Sequence, residues 1–167
     1  MKQLTLIRHA KSSWSDPSLG DFDRPLNARG LEDAPRMGAY LKANGCPPVD
    51  QIVSSPALRA RTTAKLIAEK LGMTNESIML EPCIYEATLH RLFKLIGALD
   101  DAHPHVMLFG HNPGFAQLAY GLDPCFTGDG DKFPTCGVAQ MKLAIDRWSE
   151  VEEACASEYR FVYPKGL

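Results

Sequence analysis

The chain comprises 167 residues, with a mass of 18.4 kDa and a formal net charge of −2 at pH 7. Hydrophobic residues make up 45% of it and charged residues 23%, a balance that excludes disordered, fibrous and low-complexity proteins and predicts one globular domain over residues 1–167. The charge also excludes a general nucleic-acid partner, because binding to a phosphate backbone requires a strongly basic surface. Any cationic site must therefore be local.

No membrane or targeting segment is predicted. The longest apolar runs, such as Val106 to Phe109, have only four residues, whereas a helix that crosses a bilayer needs ~20. The N-terminus has the pattern of neither a signal peptide nor a transit peptide, so we expect a cytoplasmic protein. The five cysteines are scattered without a CxxC pair, and we expect free thiols and no metal site.

Strands and helices alternate along the chain. Short apolar runs predict strands, and stretches with apolar residues every three to four positions predict helices. In chain order we predict a strand at 4–7, a polar loop at 11–27, a helix at about 28–43, a strand at 51–53, a helix at 55–71, a helix at 88–99, a strand at 105–109, a helix at 113–122, and a strand pair at 138–145 and 159–163. These repeated βα units predict an α/β fold, with helices on both faces of a mostly parallel sheet.

Single residues decide some of these boundaries. Ser55 followed by Pro56 is typical of a helix N-cap with proline at the first helical position. Pro35 falls near the first turns of the helix predicted at about 28–43 and leaves its start open. Glycines and prolines at 121–137 predict a mobile loop near the site described next.

Three predicted strands end in residues of the same chemical kind. Arg8 and His9 follow the first strand, Arg59 lies in the first turn of the helix after the second, and His111 follows the strand at 105–109. The carboxyl ends of parallel strands meet at one edge of a sheet, where ligands bind. We therefore expect these side chains to line one pocket.

Helix geometry distinguishes Arg59 from Arg61. Arg61 belongs to a polar stripe with Lys65 and Glu69, four residues apart, which is typical of a face exposed to water. Arg59 lies about 200° around the helix from Arg61 at 100° per residue, on the side expected to face the interior. We assign Arg59 to the pocket and Arg61 to the solvent.

Two guanidinium groups and a helix N-terminus favour a tetrahedral dianion, and phosphate is the natural ligand. A histidine in such a pocket can act as a nucleophile that carries the phosphoryl group on a ring nitrogen. A second histidine can donate a hydrogen bond to the phosphoryl oxygens as charge builds in the transition state.

Several stretches fit one known pattern. Three of them are Leu6 to Ala10 (LIRHA), Ser54 to Ala64 and Gly110 to Gly114 (GHNPG). In this order they resemble the Arg-His-Gly signature, the second arginine motif and the second histidine motif of the histidine phosphatase superfamily. Asp23 to Gly30 (DRPLNARG) is similar to a stretch of its small branch, typified by the SixA phosphohistidine phosphatase.

The resemblance implies a three-layer α/β/α, phosphoglycerate mutase-like fold and a metal-independent phosphatase without cofactors. It implies that His9 is the phosphorylated nucleophile, that His111 is the second histidine of the pocket, and that Arg8 and Arg59 bind the phosphate.

The expected class of substrate depends on whether one carboxylate acts as a general acid. Phosphatases that act on alcohols need an acid to protonate the departing oxygen, and Glu86, just before a predicted helix, is the best candidate. A glutamate at this position could equally stabilise the helix N-terminus by its interaction with the helix dipole. When the substrate is a phosphohistidine, the leaving group is an imidazole, which departs readily and has less need of such an acid because its own pKa is about 6.5. We expect a protein phosphohistidine phosphatase, with a small-molecule or phosphoserine-type phosphomonoesterase as the alternative and a non-catalytic phosphate-binding module as the second alternative.

Several other residues could serve either the site or ordinary local structure. Ser12 and Asn27 could donate to phosphate or serve turn chemistry, and Trp14 could form part of a substrate rim or pack against the protein. We predict that His90, His103 and His105 lie on the surface. The stretch 129–131 (DGD) is predicted to form a turn and not a calcium loop, because the glutamate that such a loop requires is missing.

Overall fold

A computed structural model describes residues 1–167. Its six strands are β1 (Lys2–Arg8), β2 (Gln51–Ser54), β3 (Ile78–Leu80), β4 (His105–Gly110), β5 (Val138–Leu143) and β6 (Ala156–Val162). Its four α-helices are α1 (Ala28–Ala43), α2 (Leu58–Lys70), α3 (Leu89–Gly97) and α4 (Gly114–Leu122). No helix is long and apolar enough to cross a membrane.

All six strands form one sheet in the order β3-β2-β4-β1-β5-β6. The first four of these are parallel to one another, whereas β5 pairs antiparallel with β1 and β6 antiparallel with β5. The predicted α/β class, the central parallel strands and the final strand pair are thus confirmed.

Alternate residues of the strands face two separate apolar clusters. Leu4 and Leu6 of β1 belong to a cluster that includes the buried faces of α3 and α4. Ile7 belongs to the opposite cluster, which includes those of α1 and α2. Because successive side chains of a strand point to opposite faces, β1 is apolar on both sides. The result is a three-layer α/β/α architecture.

The helix α1 begins as predicted. The side chain of its N-cap residue, Asn27, accepts a hydrogen bond from the Gly30 backbone nitrogen at 2.9 Å, and the helix continues past Pro35. At Gly30 a Cβ atom would lie only 2.2 Å from the carbonyl oxygen of Lys11. Glycine thus lets α1 pack directly against the segment that follows β1.

The start of α2 corrects the prediction at Ser55. The helix begins at Leu58 with Ala57 as N-cap, and no side chain caps it. The Ser55 hydroxyl is instead held by His111, as described below. The predicted facing of α2 is confirmed, because Arg61 is exposed and Arg59 is buried.

Two further expectations differ from the structure. The strand β3 was not predicted, because it has three residues and its apolar side chains are partly exposed at the sheet edge. The prediction of a surface position is wrong for His105: its Nδ1 donates to the Pro48 carbonyl at 3.1 Å and its Nε2 lies 2.8 Å from the Thr5 hydroxyl. Burial of β4 on both faces explains this, whereas His90 is exposed as predicted.

Candidate functional site

The ends of β1 and β4 bring two histidines together. The strands are neighbours, with Arg8 opposite Gly110, and His9 and His111 are the next residues along each. Their ring centroids are 5.3 Å apart, and the two residues are only 6% and 9% exposed. Two residues more than a hundred positions apart in sequence thus share one buried location.

Both rings line a cavity of about 270 Å³, here called the histidine cavity. Its lining residues are Arg8, His9, Lys11, Ser12, Trp14, Asp21, Arg24, Arg59, His111, Asn112 and Thr135. The structure therefore brings Arg8, Arg59 and Ser12 to the two histidines. The basic lining is a local cationic site, as expected for any such site in a chain with a net charge near zero.

Two other residues singled out in the sequence lie outside this cavity. Glu86 is exposed and lines a neighbouring cavity of about 420 Å³, which also contacts Arg59 and His111. Asn27 lines neither cavity, and its side-chain oxygen is engaged in capping α1.

Hydrogen bonding fixes the tautomer of His9. Its Nδ1 lies 2.7 Å from the Ala10 carbonyl oxygen, which can only accept, so Nδ1 carries the proton and Nε2 keeps a free lone pair. Burial, with smaller contributions from the charges of His111, Arg59 and Arg8, lowers the pKa of His9 to about 3. The ring is therefore neutral near pH 7 and equipped with a nucleophilic nitrogen.

Ser55 fixes the opposite tautomer of His111. The Ser55 Oγ accepts from the Ala57 backbone nitrogen at 3.2 Å and lies 2.7 Å from His111 Nε2. Its hydroxyl proton has no other acceptor than Nε2, so the ring proton of His111 sits on Nδ1. Burial, followed by the charge of Arg59, lowers the pKa of His111 to about 4. His111 is thus a neutral donor.

The buried polar atoms without partners all belong to this cavity. They are Arg8 Nε, Arg59 Nε, His111 Nδ1 and Asn112 Oδ1. Three of them are N–H donors, and a buried donor without an acceptor costs about 1–3 kcal/mol. A tetrahedral oxyanion would supply the acceptors that these donors lack.

Arg24 is a residue of the cavity that was not singled out in the sequence. Its guanidinium donates to the Ser13 carbonyl, the Asp21 carboxylate and the Ser12 hydroxyl. The exposed ring of Trp14 lies 3.4 Å from its central carbon. These tertiary contacts fix Arg24, and the sequence signal was only its place in the DRPLNARG stretch.

Asp21 connects two walls of the cavity. Its carboxylate accepts from Arg59 at 2.9 Å and from the Tyr85 hydroxyl at 2.6 Å, and its backbone carbonyl accepts from Arg59 at 2.6 Å. The Tyr85 ring in turn packs edge-on against His111, with centroids 5.4 Å apart. Burial and the bond to Asp21 raise the pKa of Tyr85 to about 12.

The segment at 121–137 lies beside the cavity, as predicted. The Phe133 carbonyl accepts from Arg8 at 3.0 Å and from the Asn112 amide at 2.8 Å. Thr135 lines the cavity itself. Residues 129–132 form the predicted turn, closed by a bridge between Asp129 and Lys132. The mobility of the segment remains a prediction.

Comparison with known proteins gives the class to which this fold and cavity belong. The chain is a member of the histidine phosphatase superfamily (branch 1), whose family model matches residues 4–92, just over half of the chain. This membership supports phosphatase activity.

The relatives cover the chain to different extents. An uncharacterized protein of Mycobacterium tuberculosis is 32% identical over 166 residues, which span 95% of this chain and 100% of that protein. The 2,3-bisphosphoglycerate-dependent phosphoglycerate mutase of Afipia carboxidovorans is 39% identical over 74 residues, only 43% of this chain and 35% of the mutase.

Solved structures extend the likeness over the whole chain. SixA from Agrobacterium tumefaciens is 26% identical and superposes with a TM-score of 0.76, covering 98% of each chain. The protein histidine phosphatase SixA complexed with tungstate has a TM-score of 0.79 at 21% identity, over 98% of this chain and 97% of that one. The SixA-type branch is thereby supported.

Proposed function

We propose that the protein is a phosphatase that forms a phosphohistidine intermediate on His9 and acts on phosphohistidine side chains of proteins. One observation carries this proposal. The free Nε2 of a neutral, buried His9 shares a cavity with three unpartnered N–H donors, on Arg8, Arg59 and His111. A nucleophile and three free N–H donors for an oxyanion are therefore present before substrate arrives.

The reaction would proceed in two displacements. His9 Nε2 attacks the phosphorus, a P–N bond forms, and the bond from phosphorus to the substrate's imidazole breaks with its electron pair going to that nitrogen. The departing imidazole ends neutral after gaining a proton from solvent. Water then attacks the phosphorus on His9, its proton is released, and inorganic phosphate leaves with Nε2 restored.

The arginines supply the positive charge that this transfer requires. Arg8, Arg24 and Arg59 line the cavity, and His111 Nδ1 offers a donor to the oxygens on which charge accumulates. We therefore propose that the reaction requires no metal ion and no cofactor.

The rim supports a protein substrate. The rim is formed on one side by Trp14, which lines the histidine cavity and is 76% exposed, so the mouth is open there and not walled around a small metabolite. The related structure bound to tungstate, a tetrahedral oxyanion, is a protein histidine phosphatase. An imidazole leaving group also has little need of a buried acid.

One observation favours a phosphomonoesterase as second candidate. Glu86 lines the neighbouring cavity, which Arg59 and His111 also line, and a carboxylic acid there could protonate a departing alkoxide. A phosphate-binding module without turnover is disfavoured, because it would need no free nucleophile at His9.

The test is hydrolysis of a phosphohistidine protein beside a panel of alkyl and aryl phosphate monoesters, with a chelator present throughout. We expect release of inorganic phosphate from the phosphohistidine protein at a kcat/KM well above that for any ester, and none with His9→Ala. Faster turnover of the esters would transfer the assignment to a phosphomonoesterase. Activity that requires a divalent ion would contradict the proposed mechanism.

A further inference from the structure

Asp21 occupies some of the donors that a phosphoryl group could use. Both terminal nitrogens of Arg59 donate to Asp21, one to its carboxylate and one to its backbone carbonyl. Arg24 donates to the same carboxylate at 3.2 Å. Nε of Arg59 has no partner at all, and each terminal nitrogen keeps a second N–H beside the one that it gives to Asp21. A dianion that binds end-on, through the two N–H groups now given to Asp21, must therefore displace Asp21.

The two partners of this ion pair differ in freedom. The side chain of Asp21 is 48% exposed, whereas that of Arg59 is 7% exposed and held within α2. Asp21 lies in a 3-10 turn of the exposed loop after β1. Turning the carboxylate into water costs its partly exposed ion pair, and this cost is offset because the group, already half in water, completes its hydration. Asp21 can leave, and Arg59 cannot.

We propose that Asp21 acts as a built-in competitor of the phosphoryl group: its carboxylate rests on Arg59 and Arg24 in the empty cavity, must yield when an oxyanion binds, and returns to help expel inorganic phosphate. This inference rests on the proposed function, since it assigns the regulation of anion affinity to the same cavity. Asp21 is therefore a residue that sets how tightly the product is held.

A role as general acid fits Asp21 less well. The Tyr85 hydroxyl and then Arg59 hold the pKa of Asp21 below its usual value, so the group is a carboxylate with no proton to give. Tyr85 keeps its own proton and directs it at Asp21. The hydroxyl thus stabilises the carboxylate in its resting position.

The charges of the cavity support weak, reversible binding. The cavity is lined by four positively charged side chains, those of Arg8, Lys11, Arg24 and Arg59, and Asp21 offsets one of these charges. Asp21 thus reduces the net positive charge that holds a phosphoryl dianion, whereas the uncompensated cluster of four would retain the product more tightly. Removing the negative charge should therefore strengthen the binding of any tetrahedral oxyanion.

Titration calorimetry with inorganic phosphate and with tungstate tests this on Asp21→Asn. Because a partly exposed charge pair contributes up to ~1 kcal/mol, we expect binding about five-fold tighter than in the unsubstituted protein. Asp23→Asn is the matched control: Asp23 lies two residues away, is exposed and makes no ion pair, and its replacement should leave the affinity unchanged.

A second variant covers the case in which Asp21→Asn does not fold. Tyr85→Phe keeps the ring and removes the hydroxyl that steadies Asp21, and it should tighten oxyanion binding in the same direction but less. Weaker or unchanged binding in the Asp21 variant would overturn the inference, because it would mean that Asp21 only positions Arg59. If the unsubstituted protein bound neither oxyanion, the proposed function would fail together with this inference.

Discussion

The floor of the histidine cavity and its rim are built in opposite ways. His9, Arg59 and His111 on the floor are between 6% and 9% exposed and are fixed by strand ends, a helix and specific hydrogen bonds. Trp14 on the rim is 76% exposed and lies in the irregular loop after β1. We therefore propose that the floor carries the phosphoryl chemistry, whereas the rim selects the molecule that presents the phosphoryl group.

Replacing the main clamp of the floor should have the largest effect. Arg59→Lys keeps a positive charge but loses the planar fork, and we expect kcat/KM to fall by about 10²–10³ for every substrate. The control is Arg61→Lys on the exposed side of α2, which should change kcat/KM less than two-fold by our order-of-magnitude estimate. A substrate-selective loss in the Arg59 variant would place Arg59 with the rim.

Replacing Glu86, in the neighbouring cavity, should affect one class of substrate more than the other. Glu86→Gln should reduce turnover of alkyl and aryl phosphates by ~10², the size of a general-acid contribution, and leave phosphohistidine turnover nearly unchanged. Glu69→Gln, on the exposed face of α2, controls for the loss of one carboxylate. A uniform loss in the Glu86 variant would favour the phosphomonoesterase and end the division between floor and rim.

Acid should destabilise the floor through its neutral histidines. The folded pKa values of His9 and His111, about 3 and about 4, lie below the value of about 6.5 for an unfolded chain, so the unfolded state binds protons first as the pH falls. The stability from each neutral ring is complete above pH 6.5 and is lost as the pH falls towards the folded pKa.

Each histidine should therefore lower the free energy of unfolding by about 2 kcal/mol between pH 7 and pH 5. Denaturant unfolding at the two pH values measures this. His111→Asn should remove about 2 kcal/mol of that pH dependence, and His90→Asn, at an exposed position, should remove none. Equal pH dependence in the His111 variant and the unsubstituted protein would show that His111 is not held neutral.

The smallest effect concerns the tautomer of His111. Ser55→Ala removes the hydroxyl that keeps the proton on Nδ1, and kcat should fall about ten-fold, as expected for one hydrogen bond. Ser55→Thr retains a hydroxyl and should recover activity. Ser54→Ala is the matched control, since Ser54 is equally buried but donates to a backbone carbonyl. An equal loss of kcat in both alanine variants would indicate a general packing defect.

The residues of the floor could be predicted from the sequence more completely than those of the rim. The strand β4 is buried at every position, so its apolar run was readable, and the residues after it and after β1 followed from the parallel sheet. Helix periodicity separated buried Arg59 from exposed Arg61. In regular helices and strands, the spacing of residues in the sequence therefore predicts which side chains face the site.

The loop residues could not be found in this way. Arg24 and Asp21 reach the cavity through contacts with Ser12, Arg59 and Tyr85, which lie up to 64 positions away, and no periodicity governs a loop. Ser55 has the residue type of an N-cap, and only the position of His111 explains its actual partner. Tertiary contacts, not local pattern, determined these positions.

The most direct test of the account is to trap the phosphoryl group on the protein. The enzyme would be mixed with a phosphohistidine protein, quenched in alkali to preserve phosphoramidates, and digested for mass spectrometry. The free lone pair on His9 Nε2 predicts a phosphoryl group on that nitrogen, and none on His9→Ala. Turnover accompanied by a label on another residue, or sustained turnover by the alanine variant, would contradict it.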